Sequence, residues 1–293
     1  MKPAPFRYEK PRSLEQALTL LAAEGEEAKV LAGGQSLVPL MNFRLARPAV
    51  LVDINGLAEL SHLRRDGSRL RIGALTRHAV LEESPLVERH WPLLTEAVRL
   101  VGHPQIRNAG TVGGSLAHAD PTAELPVALA ALDATFVVRS LSGVREMQWS
   151  EFFVGQLQTS LEPDELLVEA VVPALPPGTG CRFDEFSRRH GDFALAGCAV
   201  TVSLGPGGVC ARTSIALLGA APTPIRATRA EAELVGRPVT AESAARSAAH
   251  AVQDLHPTSD LHASGGYRRG LIESLVARSL LTARDRAREG APS

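Results

Sequence analysis

Two glycine pairs carry the groups best suited to hold a ligand: Ala32-Gly33-Gly34-Gln35-Ser36 and Thr111-Val112-Gly113-Gly114-Ser115. Each follows an apolar approach and ends in a hydroxyl residue. Adjacent glycines let a backbone turn sharply and approach another group with no Cβ between. Consecutive N–H groups in such turns form concave nests for anions. One nest suits one phosphate, so two suggest a ligand with two linked phosphates, such as a dinucleotide.

The first pair also reads as a plain strand-to-helix turn, since glycines fill turns anyway. Val30-Leu31-Ala32 brings the chain in as a strand, and Gln35 and Ser36 place polar side chains at a helix start, where free N–H groups favour anions. The second pair sits in a longer run, Gly102 to Pro121, rich in Gly, Pro, Asn and Asp. A turn takes about four residues. A long coil inside a compact domain is usually functional, so this stretch is expected to be largely coil wrapped round a ligand. A third segment, Arg188-Arg189-His190-Gly191-Asp192-Phe193, reads first as a surface turn before a strand. Its Asp and Phe are also suited to a flat hydrogen-bonding ring, one accepting from ring N–H groups and the other stacking.

Other chemistries lack their signatures. Neither glycine motif is G-x-G-x-x-G or G-K-[ST], and no G-x-S-x-G elbow appears. The three cysteines, Cys181, Cys198 and Cys210, form no C-x-x-C pair, and the nine histidines show no H-x-x-x-H spacing. An iron–sulfur or zinc site needs a fuller ligand set, so no metal is expected in this chain. A formal net charge of -1 gives no electrostatic footprint for nucleic acid. The opening MKPAPFRYEKPRS has no apolar signal region, and no apolar run is long enough for a bilayer. A cytoplasmic protein is the expectation.

The elements that must position these motifs follow from pattern. Ser13-x-x-Gln16 predicts a capping box before a helix carrying Leu14, Ala17, Leu18 and Leu21, closed by Gly25. A strand over 28–31, a helix capped by Ser36 and a strand over 50–54 make a β–α–β-like unit. Asp66-Gly67 predicts a hairpin between 60–64 and 69–74. Thr76 is expected to cap a helix through the early eighties, followed by helices over 91–101 and 122–132 and strands over 135–139, 144–149 and 166–172. Pro173 to Gly178 marks a boundary. Beyond it, strands flank Gly205-Pro206-Gly207-Gly208, helices cover 241–255 and 267–286, and the final Arg/Asp/Glu run is expected to be a solvated helix end.

Together, A-G-G-Q-S at 32–36, T-V-G-G-S at 111–115 and R-R-x-G-D-F at 188–193 resemble the FAD-binding medium subunit of molybdenum hydroxylases, the family of carbon monoxide and xanthine dehydrogenase medium chains. The likeness runs from Phe6-Arg7-Tyr8 to Tyr267-Arg268-Arg269-Gly270. It implies an α+β chain: a two-part FAD-binding domain of the PCMH (vanillyl-alcohol-oxidase-like) type over 1–176, with parts of about 1–56 and 57–176. A smaller C-terminal domain with an antiparallel sheet and helices would cover 177–287, and a tail 288–293.

By the same resemblance, Leu31, Ala32, Gly33, Gly34, Gln35 and Ser36 would hold the FAD pyrophosphate, joined by Thr111, Gly113, Gly114 and Ser115. Val101 and Gly102 would line the cleft, Asp120 and Glu124 would contact hydroxyls, and Leu166 or Leu167 would pack near the flavin or adenine end. Asp192 and Phe193 would approach the isoalloxazine. The family often has an acid or amide at Ser115 and Tyr or Ile at Phe193. FAD would be the chain's own cofactor, held non-covalently. The molybdenum cofactor and [2Fe–2S] clusters would lie in a molybdopterin large subunit and an iron–sulfur small subunit of a heterohexamer. No catalytic acid, base or nucleophile is expected, because the flavin carries the redox chemistry. The alternatives are a self-contained FAD-dependent oxidase or dehydrogenase of the same fold, and a non-enzymatic nucleotide-binding or assembly module.

Overall fold

The structure, a computed structural model, describes residues 2–289. Its first layer is a small parallel sheet in which β1 (Arg7–Glu9) and β2 (Ala28–Leu31) flank β3 (Val50–Asp53). Helix α1 (Leu14–Glu24) precedes β2, and α2 (Leu37–Asn42) links it to β3. The apolar positions of α1 and the strands close into one cluster that includes Leu14, Leu18, Leu21 and Val52. The Ser13 hydroxyl accepts from the Gln16 amide, as the capping motif predicts. The box is not reciprocal, because Gln16 Oε1 accepts from Arg12 N instead.

The second layer is a five-stranded antiparallel sheet. The hairpin of β4 (Leu63–Asp66) and β5 (Arg69–Gly73) turns at Asp66-Gly67, with β4 starting later than predicted because 58–60 is a 3₁₀ turn. Helices α3 (His78–Glu83), α4 (Pro85–His90), α5 (Pro92–Leu100), α6 (Pro104–Ala109), α7 (Val112–His118) and α8 (Glu124–Ala131) then follow in succession. Thr76 does not cap α3: its hydroxyl donates to His62 O, and Arg77 holds the N-cap position. After α8 come β6 (Thr135–Ser140), β7 (Gly143–Gln148), α9 (Trp149–Phe152), the short pair β8 (Phe153–Gly155) and β9 (Gln158–Thr159), and β10 (Leu166–Val172). Strand β10 pairs on both sides and every residue in it is buried, which explains its near-continuous apolar run. Its one acid, Glu169, is paired with Arg71 at 2.5 Å and hydrogen-bonded to the His62 ring at 2.8 Å.

The third layer is a four-stranded antiparallel sheet of β11 (Thr179–Phe186), β12 (Ala196–Leu204), β13 (Cys210–Leu218) and β14 (Ile225–Arg226). Three helices, α10 (Thr228–Leu234), α11 (Ala241–Val252) and α12 (Gly265–Glu289), bury their apolar sides with it in a separate cluster. Among the described residues no helix is long and apolar enough to cross a membrane.

The core does not stop at the proline-rich boundary. Cys181, Phe183, Ala199 and Leu218 share a cluster with Leu93, Leu94 and Leu129. Glu96 of α5 fastens the seam: one oxygen accepts from the Phe183 amide at 2.9 Å, and the other is bonded by Arg286 of α12. The end of α12 is therefore not the solvated run expected from its charges. Ala287 is fully buried where Gly180 leaves room for the helix backbone, and Arg286 reaches back across the seam. Residues 290–293 lie outside the described residues. Replacing Glu96 with Ala strands the Phe183 amide and one guanidinium. The expected loss is about 1–3 kcal/mol, read as a lower denaturant midpoint at unchanged slope.

Candidate functional site

Strand β2 delivers the first glycine motif to the rim of the parallel sheet. Only Gly34 needs a positive φ, at 70°, and a side chain there would also crowd Val38 and Leu31. Gly33 is required for a different reason: a Cβ would collide with the Ala109 carbonyl oxygen and lie 2.8 Å from Gly110 Cα. The two predicted motifs are thus brought together, backbone against backbone.

The carbonyls from Leu31 to Gly34 all have partners within the chain. Leu31 O accepts from Ile54 N at 3.1 Å, Ala32 O from Asn55 Nδ2 at 2.8 Å, Gly33 O from Gln35 Nε2 at 2.8 Å and Gly34 O from Val38 N at 3.0 Å. The amides of Gly33, Gly34, Gln35 and Ser36 donate to no acceptor among the described residues. Ser36 adds no side-chain cap to α2, contrary to expectation. Leu31, Ala32, Gly33, Gly34 and Gln35 line an open pocket of ≈ 440 Å³ with Val38 and Pro39. Consecutive unpartnered amides in a concave turn are the arrangement that binds an anion.

The second motif is built differently, and the two-nest expectation is corrected. The stretch from His103 to Pro121 is mostly helix, α6 and α7, not coil. Thr111 caps α7 and accepts from Gly114 N at 3.1 Å. Val112 N donates to Thr76 O, Gly113 N to Ala74 O and Ser115 N to Thr111 O. The amides of this pair are therefore already used. Gly113 is glycine because α7 presses on Ala74, which a Cβ would approach to 2.5 Å. Gly114 is glycine because a Cβ would lie 2.7 Å from its own capping hydroxyl.

Polar side chains gather around this frame. Ser115 Oγ lies 3.0 Å from His78 Nε2. Burial, ahead of the nearby Arg107 and Arg77, pulls the His78 pKa down to about 4, so the imidazole is neutral. Val101 and Gly102 form a turn (Gly102 φ 49°) whose carbonyls face Arg107 Nη1 at 3.2 and 3.4 Å. Arg107 is fixed by Glu82 at 2.6 Å. The third segment rests on this turn: a Cβ at Gly191 would lie 2.7 Å from His103 Nε2, and the His103 and His190 rings sit 5.8 Å apart. Phe193 beside it is 76% exposed, and Asp192 pairs loosely with Arg188 at 3.8 Å.

The remaining predicted positions divide. Asp120 Oδ1 accepts from Thr122 N and Oγ1 at 2.8 and 2.7 Å, so it shapes the entry to α8. Glu124 is half-buried, and its carboxyl is pushed up to about 8 by burial first and then by Glu185 and Asp120. Glu185 of β11 is pushed up to about 7 by burial and by Asp184, and its Oε2 is buried without a partner. Leu166 and Leu167 are 5% and 3% exposed and pack into two different apolar clusters. Reading the sequence missed Asn55, Arg77, His78, Arg107 and Glu185. The Asp53-Ile54-Asn55 triplet at a strand end was the one visible signal among them.

Two predictions follow from this geometry. Gly33→Ala forces a carbonyl contact that has no flexible side chain to absorb it. The expected cost is about 1–3 kcal/mol in chemical denaturation, whereas Gly266→Ala, which opens on free space in α12, is neutral or stabilising. The Glu124–Glu185 pair holds protons in the folded chain that the unfolded chain releases near the ordinary value of 4.5. Folded stability therefore falls as pH rises from about 4.5 through 8. Glu185→Gln should flatten that fall in a melting-temperature series, and an unchanged pH slope would refute the pairing.

Comparison with known proteins bears on both halves of the chain. The FAD binding domain in molybdopterin dehydrogenase matches residues 4–175, and the CO dehydrogenase flavoprotein C-terminal domain matches residues 182–283. The 6-hydroxypseudooxynicotine dehydrogenase complex subunit alpha of Paenarthrobacter nicotinovorans is 49% identical, over 98% of this chain and 97% of its own. The carbon monoxide dehydrogenase medium chain of Hydrogenophaga pseudoflava is 39% identical, over 96% of this chain and 97% of its own. The solved carbon monoxide dehydrogenase from that organism, in a form lacking the Mo-pyranopterin moiety of its cofactor, superposes with a TM-score of 0.95 at 41% identity. It covers 98% of this chain and 99% of that one. With relatives matched end to end and an open anion cradle in the first half, the chain belongs to the FAD-binding medium subunits of the molybdenum hydroxylases, a family of oxidoreductase subunits.

Proposed function

We propose that this chain holds FAD non-covalently and passes electrons from an iron–sulfur partner subunit to a terminal acceptor. The complex would also contain a molybdopterin large subunit. The observation that carries the reading is the run of four outward, unpartnered amides from Gly33 to Ser36 above a glycine-lined pocket. A diphosphate supplies acceptors for such a run, and the residues present fit it.

Bound FAD supplies the redox chemistry, since it accepts two electrons and can release them singly, which no side chain does. The chain's own residues bind and orient. Amides 33–36 take the diphosphate charge, while Ser115, held by a neutral His78, offers a hydroxyl beside it. Val101 and Gly102 present a turn stiffened by Arg107. Phe193, exposed on the third layer near that turn, would cover a planar ring and limit water there. Asp192 adds a carboxylate at the same edge. The division of the chain into a FAD-binding part over 1–176 and a second part over 177–287 belongs to the same proposal.

Purified chain should show flavin absorbance, and denaturation should release unmodified FAD. Co-expression with its iron–sulfur and molybdopterin subunits should give a complex whose flavin is reduced by the complex's substrate. A colourless chain that takes up no added FAD defeats the proposal. Turnover of a small donor by the isolated chain, without partners, would favour a self-contained oxidase or dehydrogenase instead.

A further inference from the structure

The outward amides of the first glycine motif raise a question of cause. Six-residue α2 begins only at Leu37; Val38 N reaches back to Gly34 O, but the helix makes no bond to the carbonyls of Leu31 and Ala32. What holds those carbonyls lies behind the motif. Asn55 Nδ2 donates to Ala32 O at 2.8 Å and reaches Leu31 O at 3.5 Å. Asn55 is itself held: its amide and Nδ2 both donate to Asp53 Oδ1, at 2.9 and 2.7 Å. Asp53 is 7% exposed, and its second oxygen accepts from the Tyr8 hydroxyl. The free end of Asn55, Oδ1, accepts from Arg77 Nη2 at 2.7 Å. Arg77 Nη1 donates to Ala109 O, the same carbonyl that Gly33 abuts.

One guanidinium thus joins the two glycine segments, gripping the second directly and the first through Asn55. Its planar fork allows this: two N–H groups bond two acceptors at a fixed angle, which a lysine ammonium does not reproduce. It also leaves a permanent positive charge at the line where the segments meet.

We propose that Arg77, acting through Asn55, is the positioning residue of the diphosphate nest, holding the Leu31 and Ala32 carbonyls of the first segment and the Ala109 carbonyl of the second so that the leading amides of the nest stand ready for a doubly charged phosphate ligand. The inference rests on the FAD reading above. Preorganisation of this kind lowers the ordering cost at binding and raises affinity without any new contact to ligand. The residue is half-buried, and its bonds to Asn55 Oδ1 and Ala109 O act on the shape and charge of the nest.

The test uses full-length chain freed of flavin, with FAD and ADP as probes. ADP keeps the diphosphate and lacks the flavin. Arg77→Met and Asn55→Asp should each raise the Kd of both probes by about 10- to 100-fold and by similar factors, the range expected for losing a charge-assisted bond. Arg77→Lys, which keeps the charge and loses the fork, should fall between. The melting temperature of the flavin-free variants should stay close to that of the unaltered chain, which separates positioning from general destabilisation. Kd values within threefold of the unaltered chain overturn the proposal. So does a loss confined to FAD, which would place the effect away from the diphosphate. If Arg77→Met does not fold, Asn55→Asp and Arg77→Lys decide by the same criteria. Failure of the unaltered chain to bind FAD at all is a different result and defeats the functional reading instead.

Discussion

A peptide unit carries its N–H and C=O on opposite sides, and that constraint organises the site. Where the carbonyls of residues 31–34 take partners within the chain, the N–H groups of residues 32–35 point the opposite way. Buried backbone groups need partners, so turning four carbonyls inward requires acceptors' partners at four defined places. The end of β3 supplies two of them, Ile54 N and Asn55 Nδ2, because parallel pairing brings Asp53 level with Leu31. Sheet register and ligand site are consequences of one arrangement.

The second glycine segment serves the same end by a different route. It is a tightly docked helix start whose amides are consumed by Ala74, Thr76 and Thr111. That rigidity gives Gly33 a fixed surface to rest on. The third layer is tied to this frame by Glu96, Phe183 and Arg286, and by Gly191 closing over His103. The exposed Phe193 is thereby carried on the third layer two residues from the contact of Gly191 with His103. The raised carboxyls of Glu124 and Glu185 lie at the same seam, where burial outweighs the usual preference for the charged form.

Much of the frame was legible in the chain itself. The strand–turn–helix–strand unit around Gly33-Gly34, the Asp66-Gly67 hairpin, the buried run 166–172 and the strands flanking Gly205 all follow local patterns whose cause is local. The misreadings share a cause as well. Residues 103–121 look like coil because Gly, Pro and Asn are frequent there, yet Pro104 and Thr111 sit at helix starts where such residues belong. Arg286 and Ala287 look solvated until α12 is placed against β11.

What the sequence alone determined is the kind of ligand and the kind of protein: glycine pairs spaced on an α+β pattern, in an order that resembles one family of flavin subunits. Residue type and spacing are enough for that, because positive φ and helix capping are local properties. Which amides are free was decided only by the tertiary structure. Gly33-Gly34 and Gly113-Gly114 are alike as text. One has free amides and the other is consumed, because hydrogen bonds donated by Asn55 and Ile54 and accepted by Ala74 and Thr76 cross tens of residues of sequence that no local pattern records.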